Sequence, residues 1–303
     1  MNEIGKRVET APAPAVVITG ATQGVGRALA EEFARGGFTL LLVARDEPAL
    51  AACAKALIEA HNVEVKFVAA DLSTVEGCDK VEEALARRFL YADILVNNAA
   101  IMSAGFFQDQ DPATLTLTVD LNARAVVDLV RRFLPGMIAR KRGGILNVAS
   151  VEGFMPVPYQ ATYAATKAFV LSLTRALAYE TMWTGVRISA LAPGAVETTM
   201  HAKAGAEYSR YVQLFPVTSA EDVARVGYRK FMRGRKTIVI GWFNRLGLLV
   251  RRFTPDFLLV PFMGLLFRVR DADGNLQLPR ALAERKSGDA RAGAPGDGPS
   301  LAA

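Results

Sequence analysis

Short apolar runs rich in β-branched residues alternate along the chain with longer stretches of helical pattern. Most of these runs are continuously apolar, which is typical of strands that are covered on both faces. Because helical stretches separate them, right-handed crossovers and a parallel sheet are expected. The runs occupy residues 15–19, 38–44, 63–70, 92–97, 144–150, 186–192 and 236–241. The pattern predicts an α/β fold with a doubly wound parallel sheet of about seven strands.

The composition changes along the chain and divides it into four segments. Residues 1–13 are expected to be a flexible N-terminus, and residues 14–241 contain all of the predicted strands. Residues 242–285 are basic and rich in large apolar residues, which predicts a C-terminal helical extension. Residues 286–303 contain few large apolar groups and predict a disordered tail, because such a segment cannot form a core.

The net charge of +6 is concentrated in one part of the chain. Residues 229–270 contain ten Lys or Arg and a single acid, Asp256, a local net charge of +9. Large aliphatic residues are interleaved with these charges, so nucleic-acid binding is not expected. The longest uncharged run, residues 257–267, is shorter than the ~20 residues that span a bilayer. Residues 242–270 therefore have two interpretations: peripheral contact with an anionic membrane, or packing over a substrate pocket or a second subunit.

The cysteine and histidine content limits the cellular compartment and the kinds of disulfide or metal site that are expected. Cys53 and Cys78 are the only cysteines, so no disulfide framework is implied and a reducing, cytoplasmic compartment is expected. The first residues carry charges and no long apolar stretch, which predicts no secretory signal. His61 and His201 lack metal-ligand spacing, so no metal site is expected. A lipid-binding extension would in addition place the protein at the inner face of the membrane.

A glycine-rich turn follows the first predicted strand and opens the first predicted helix. Gly20, Gly24 and Gly26 permit a tight turn and a close approach of the backbone to a pyrophosphate. The helix start adds free amides and the positive end of its dipole. An ordinary turn is the alternative, and no Gly-Lys-Ser/Thr sequence indicates a nucleotide-hydrolysing phosphate loop. The arrangement predicts a Rossmann-type domain that binds a dinucleotide.

The residue after the second predicted strand bears on the choice of dinucleotide. NAD-specific Rossmann proteins place an acid at about this distance from the glycines, where it holds the ribose hydroxyls. This chain has Arg45 there, and a guanidinium matches a 2′-phosphate in a bidentate manner. NADP(H) is therefore predicted. NAD(H) is the alternative, with Arg45 exposed and paired with Asp46 or Glu47.

Tyr163 and Lys167 are four residues apart in a helical pattern, which places their side chains on one helix face. An ammonium there favours the phenolate and is expected to lower the tyrosine pKa, so that the phenol serves as acid and base. Such a pair alone is common on helix surfaces. Its context favours catalysis, because Ser150 ends a predicted buried strand, where ligands of parallel sheets bind. The Ser150 hydroxyl would stabilise charge on a substrate oxygen.

The glycine spacing and the Tyr163–Lys167 pair resemble the short-chain dehydrogenase/reductase family over residues 14–241. Asn122, in the helical stretch 119–130, and Ser150 match the remaining members of that family's Asn–Ser–Tyr–Lys tetrad. The resemblance implies that Tyr163 donates a proton, Lys167 binds ribose and modifies the tyrosine pKa, and Ser150 orients the substrate. It also implies that Asn122 holds a water that relays protons through Lys167.

Further motifs extend the resemblance. Residues 97–100 read NNAA where the family usually has NNAG, and residues 193–198 read PGAVET, similar to the segment that contacts the nicotinamide end. Asp71 resembles the residue that contacts adenine, although a helix N-cap would look the same. A homodimer or homotetramer is also implied. The implied cofactor contacts are Gly20, Thr22, Gly24, Val25, Gly26, Arg45, Asp71, Leu72, Asn98, Ala99, Tyr163, Lys167, Pro193, Gly194, Val196 and Thr198.

Residues 199–216 are expected to select the substrate. Met200, Tyr208 and Phe215 suggest an apolar wall, with core packing as the alternative, and His201 is interpreted as a substrate contact or as a solvated side chain. The sequence thus predicts an NADPH-dependent oxidoreductase that reversibly reduces a carbonyl to an alcohol, on an apolar or lipid-like substrate. The alternatives are an NAD-linked alcohol dehydrogenase and a nucleotide-sensing scaffold with little turnover.

Overall fold

A computed structural model describes residues 11–197, 204–206, 208–270 and 274–279. Seven parallel strands form one sheet in the order β3-β2-β1-β4-β5-β6-β7. The strands are β1 (Ala13–Thr19), β2 (Leu40–Ala44), β3 (Val65–Ala69), β4 (Leu90–Asn97), β5 (Gly143–Val148), β6 (Val186–Ala192) and β7 (Thr237–Val239). This confirms the predicted α/β class. The strands β1 to β3 follow one another towards one edge of the sheet, and β4 to β7 follow one another towards the other edge. The strand order therefore reverses between β1 and β4, and ligands of open parallel sheets bind at such a point.

Helices cover both faces of the sheet. They are α1 (Gly24–Arg35), α2 (Glu47–His61), α3 (Val75–Ala86), α4 (Pro112–Val119), α5 (Ala125–Ala139), α6 (Ala161–Glu180), α7 (Arg210–Leu214), α8 (Ala220–Met232), α9 (Trp242–Phe253) and α10 (Asp256–Phe267). Within β1, Val16 and Ile18 pack into the core on one face and Val17 into the core on the other. Because alternate side chains point to opposite faces, burial on both sides requires an uninterrupted apolar run.

One irregular turn interrupts the long helical segment in the middle of the chain. Asp120–Arg124 forms a π-helical turn between α4 and α5, and Asn122 lies on it with a buried side chain. The predicted helical stretch 119–130 crosses this turn without revealing it. Single π turns inside α-helices are rare and are frequently found at functional sites.

The C-terminal extension begins directly after the last strand. α10 packs against the body of the protein through Leu259, Met263 and Phe267, in a cluster with Tyr211. α9, in contrast, has no buried residue. No helix in the described part of the chain is both long enough and apolar enough to cross a membrane. Residues 1–10 and 280–303, which include most of the predicted flexible N-terminus and all of the predicted tail, lie outside the described residues.

Candidate active site

The predicted acid–base pair lies near the start of α6. Tyr163 and Lys167 are both buried, and the Lys167 Nζ atom lies 5.6 Å from the centroid of the Tyr163 ring. Lys167 Nζ donates a hydrogen bond to the backbone carbonyl of Val148, at a distance of 2.9 Å. Since Val148 is the last residue of β5, this bond fixes the ammonium at the carboxyl edge of the sheet.

Ser150 reaches the same place from the loop that follows β5. The strand ends two residues earlier than the predicted run, and Ser150 instead caps a 3₁₀ turn, Val151–Phe154. Its Oγ atom accepts a hydrogen bond from the backbone N–H of Glu152 at 3.2 Å. The Ser150 hydroxyl also interacts with the Tyr163 phenol and favours its ionised form. The two hydroxyl groups are therefore adjacent, as binding of one carbonyl oxygen by both would require.

Asn122 is held from two sides. Its Oδ1 atom accepts a hydrogen bond from the backbone N–H of Ile101 at 2.9 Å, and its Nδ2 atom donates to the Ile101 carbonyl at 2.8 Å. Nδ2 also lies 3.2 Å from Oγ1 of Thr166, the residue before Lys167. The π turn therefore connects the loop after β4 to the helix that carries Tyr163 and Lys167.

The protonation behaviour of the pair differs from the expectation. Burial raises the pKa of the Tyr163 phenol well above its usual value, the nearby Glu152 carboxyl raises it further, and the hydrogen bond with Ser150 opposes the shift. Burial also lowers the pKa of Lys167 to about 8. The prediction that the tyrosine pKa is lowered is therefore wrong for this arrangement, because both groups are removed from water and loss of hydration disfavours each charged form.

Glu152 is a site residue that the sequence interpretation missed. Its side chain is buried, and its Oε2 atom has no hydrogen-bond partner within the described residues. Burial raises its pKa to about 8, and the charge of Lys167 opposes that rise. The only sequence signal is an acid placed among apolar residues two positions after Ser150. A buried carboxyl beside the reacting groups is a feature of tuned catalytic sites.

The glycine-rich turn has the close packing that a pyrophosphate-binding loop requires. Gly20 has a φ of +65°, and a Cβ atom there would lie 2.9 Å from Nδ2 of Asn98. A Cβ atom on Gly26 would lie 2.2 Å from the carbonyl oxygen of Gly20. Asn98 Nδ2 donates to the carbonyls of Thr19 and Gly20, at 2.9 and 3.2 Å, which ties the loop to the end of β4. No side chain caps the start of α1, whose amides therefore remain available to an anion.

Arg45 and Asp71 flank the place expected for the adenosine. Arg45 is exposed and forms no ion pair with any described carboxylate, while Asp46 caps α2 by accepting from the Ala49 N–H. The pairing of Arg45 with Asp46 or Glu47 is therefore not observed. Thr74, and not Asp71, caps α3, so the alternative role of Asp71 as that helix cap is also not observed. Hydrogen bonds from Ser73 hold the pKa of Asp71 below its usual value.

The remaining expected cofactor contacts that the structure describes follow the carboxyl ends of the strands. Ala99 donates its N–H to Thr19 Oγ1, and the Leu72 side chain is buried in the core, which leaves only its backbone for a ligand. Val196 forms an isolated bridge with Thr218. Thr22 is partly exposed on the loop and Val25 is partly exposed in the first turn of α1, while Pro193 and Gly194 follow β6. Thr198, Met200 and His201 lie outside the described residues.

An apolar cavity of about 540 Å³ lies beside this constellation. Val151 and Glu152 line one side, next to Ser150, while residues of α9 and α10 line the other side. Phe215 lines the cavity and also packs against the cluster that contains Tyr211, so both interpretations of this residue remain open, while Tyr208 does not line the cavity. No cluster of His, Cys, Asp or Glu in the described part of the chain is arranged to hold a metal ion.

Glycines border a crevice where the strand order of the parallel sheet reverses, and a buried Tyr–Lys pair lies beside it. These features define a dinucleotide-binding oxidoreductase. The family model for short chain dehydrogenases matches residues 14–209. The chain belongs to the short-chain dehydrogenase family, which confirms the resemblance found in the sequence.

Curated relatives match over part of their length. Very-long-chain 3-oxoacyl-CoA reductase-A of Danio rerio is 38% identical over 188 residues, which cover 61% of this chain and 58% of that protein. An uncharacterized oxidoreductase of Staphylococcus epidermidis is 33% identical over 184 residues, which cover 61% of this chain and 78% of that protein. The match therefore spans less than two thirds of the Danio rerio reductase.

Solved structures match over more of the chain. A short-chain dehydrogenase from Sphingobium yanoikuyae in complex with NADPH has a TM-score of 0.70 and 31% identity, covering 88% of this chain and 99% of that one. L-sorbose reductase from Gluconobacter frateurii, complexed with NADPH and L-sorbose, has a TM-score of 0.68 and 31% identity, covering 76% and 95%.

Proposed function

We propose that the protein reversibly reduces a carbonyl group to an alcohol, with NADPH as the hydride donor and Tyr163 as the acid and base. The observation that carries this proposal is the burial of Tyr163 and Lys167 side by side, with the Ser150 hydroxyl beside the phenol, at the sheet edge that bears the glycine-rich turn. When bound, the reduced nicotinamide supplies the hydride.

The loop residues fit a dinucleotide. Gly20 and Gly26 leave no room for side chains, and the uncapped start of α1 presents amides to a pyrophosphate. Arg45, which is exposed and forms no ion pair with a described carboxylate, suits a 2′-phosphate. Two similar solved structures are complexes with NADPH. These observations favour NADP(H) over NAD(H).

Each member of the tetrad has a role that its contacts support. Tyr163 donates its proton to the carbonyl oxygen, while the Ser150 hydroxyl holds that oxygen and stabilises the charge that develops on it. Lys167 uses one of its three N–H donors on Val148, which leaves two for ribose hydroxyls and a proton relay. Asn122 positions Thr166 and the helix, and the second lone pair of its Oδ1 atom is the acceptor for a relay water.

The adjoining cavity supports an apolar substrate. Its lining is predominantly hydrophobic, and it ends beside Ser150, where the reacting carbonyl would lie. Relatives of this chain are very-long-chain 3-oxoacyl-CoA reductases, whose substrates by name carry long acyl chains. We therefore assign the substrate to ketones with a long apolar chain.

The test is turnover of the purified chain with NADPH or NADH over a panel of ketones, followed by the absorbance of the reduced nicotinamide. Wild-type protein should reduce apolar ketones with NADPH, and Tyr163→Phe should lose at least about a thousandfold in kcat while its NADPH affinity stays within about twofold. A Phe variant with comparable turnover would refute the role of Tyr163. Turnover with NADH alone would support an NAD-linked alcohol dehydrogenase, and cofactor binding without turnover would support a nucleotide sensor.

A further inference from the structure

The surface of α9 and α10 is unusually apolar for an exposed helix pair. α9 has no buried residue, and Phe253 and Phe257 are 77% and 75% exposed. We call the set of exposed apolar side chains on these two helices the extension face; it comprises Trp242, Phe243, Leu246, Leu249, Val250, Phe253, Phe257, Leu258, Phe262 and Leu265. Large apolar side chains exposed in this number on neighbouring helices mark a contact with a partner or with lipid.

The charges around the extension face indicate which contact it makes. Residues 242–270, which include both helices, contain five Arg and one acid, and that acid, Asp256, is paired with Arg251 at 2.8 Å. Arg245 and Arg252 are exposed beside the apolar side chains. Such a surface matches anionic lipid headgroups. A second copy would bring two segments of net charge +4, residues 242–270 of each chain, together across a symmetric interface, which like-charge repulsion opposes.

The cavity beside the active site opens on the extension face. Leu246, Val250, Leu258 and Phe262 line the cavity and are also between 48% and 57% exposed, so they form its mouth. At the other end, Val151 and Glu152 line the cavity directly after Ser150. An apolar path therefore joins the exposed helices to the reacting groups.

We propose that the extension face docks on an anionic membrane surface and that the cavity receives the apolar chain of the substrate from the bilayer. The docking depends only on the described surface. The delivery of substrate rests, in addition, on the proposed function. Short helices with basic and aromatic side chains suit a position in the headgroup region, with the apolar side inserted among the acyl chains.

Docking is tested by co-sedimentation of the full chain with vesicles, without any measurement of turnover. Wild-type protein should bind vesicles of phosphatidylcholine with about 30 mol % phosphatidylserine, bind pure phosphatidylcholine at least about fivefold less, and dissociate at high salt. The double variant Phe253→Ser/Phe257→Ser should lose binding at least about tenfold, since neither side chain lines the cavity and both are exposed. Arg252→Glu should lose roughly fivefold or more.

The matched controls are Trp183→Ser, which removes an exposed aromatic far from the extension in sequence, and Lys80→Glu, which reverses an exposed charge on α3. Both controls should bind vesicles as the wild type does. Equal loss in variants and controls, or no preference of the wild type for anionic vesicles, would overturn the docking. A difference in oligomeric mass between the wild type and the double variant, with no vesicle binding by the wild type, would also overturn the docking. The extension face would then join two copies of the chain.

Delivery of substrate is tested separately, with the same double variant. Turnover of a long-chain ketone embedded in anionic vesicles should fall by roughly the factor lost in binding, whereas turnover of a small water-soluble ketone should stay within about twofold. Equal turnover of the embedded ketone by both proteins would overturn the delivery. A wild type that binds vesicles but reduces neither ketone would refute the proposed function and leave the docking intact.

Discussion

Gly153 packs so closely against Lys167 that a Cβ atom at position 153 would lie 2.6 Å from the Lys167 carbonyl carbon. The two residues belong to different elements, since Gly153 is in the 3₁₀ turn that Ser150 caps and Lys167 is in α6. This contact joins the turn that follows Ser150 to the helix that carries Tyr163. The geometry of the site therefore depends on the absence of a side chain at one position.

We expect Gly153→Ala to separate the turn from α6 and to misplace Ser150 relative to Tyr163. Stability should fall by about 1–3 kcal/mol, because added atoms in a packed interior displace their neighbours. The kcat should fall by roughly tenfold to a hundredfold, with little change in NADPH affinity, because the glycine-rich turn is not in contact with Gly153. Chemical denaturation and steady-state kinetics measure the two effects.

The control for that variant is Gly247→Ala in α9, where a Cβ atom meets nothing within 4 Å. An added methyl group in open space of a helix should leave stability unchanged or raise it slightly. Full kcat in Gly153→Ala would mean that the turn adjusts without moving the reacting groups.

Arg45→Asp should reverse the preference between the two dinucleotides. The carboxylate would repel a 2′-phosphate and accept hydrogen bonds from ribose hydroxyls instead. We expect NADPH affinity to fall by at least about tenfold, while NADH affinity stays equal or rises. Thermal shift titrations with each cofactor measure this without any substrate. Unchanged discrimination in the variant would show that another residue meets the phosphate.

Glu152 should give the free energy of unfolding a characteristic pH dependence. Its pKa in the folded protein is raised from 4.5 to about 8, so the folded state retains a proton that the unfolded chain releases between these values. Stability from this group is therefore lost as the pH rises from about 4.5 towards 8. Lys167 acts in the opposite sense, because its pKa is lowered from 10.5 to about 8 in the folded protein. Its contribution to the free energy of unfolding therefore increases as the pH rises from about 8 towards 10.5.

Glu152→Gln should flatten the decline in the free energy of unfolding between pH 5 and pH 8. The substitution should remove roughly 2–4 kcal/mol of the loss that the wild type shows across that window. Denaturant unfolding at a series of pH values provides the measurement. Glu76→Gln, which alters an exposed acid on α3, should keep the wild-type slope. A Glu152→Gln protein with that same slope would show that the carboxyl does not hold its proton to higher pH in the folded state.

The same substitution should shift the pH dependence of alcohol oxidation. The Glu152 carboxyl raises the Tyr163 pKa, and oxidation requires the phenolate. In Glu152→Gln the ascending limb of kcat/KM, on the acid side of the profile, should therefore move to lower pH, by about half a unit or more. A merely structural role would lower the rate at all pH values and leave the limb in place.

The sheet and the spacing of the tetrad were accessible from the sequence because both follow from short-range pattern. Continuous apolar runs predict buried parallel strands, and a spacing of four residues places Tyr163 and Lys167 on one helix face. Glu152 was not accessible, because its burial depends on α6 and the cavity that the C-terminal helices enclose. The direction of the Tyr163 pKa was predicted incorrectly for the same reason: the sequence shows the neighbouring ammonium but not the loss of water.

The π turn at Asp120–Arg124 makes the number of residues in this helix more important than most of their identities. A regular helix advances about 100° per residue, so deleting one residue from the turn would rotate one end of the helix relative to the other by that angle. Asn122 would then no longer face Ile101. Replacement of exposed residues along 112–139 should thus be tolerated, whereas insertion or deletion of a single codon there should not.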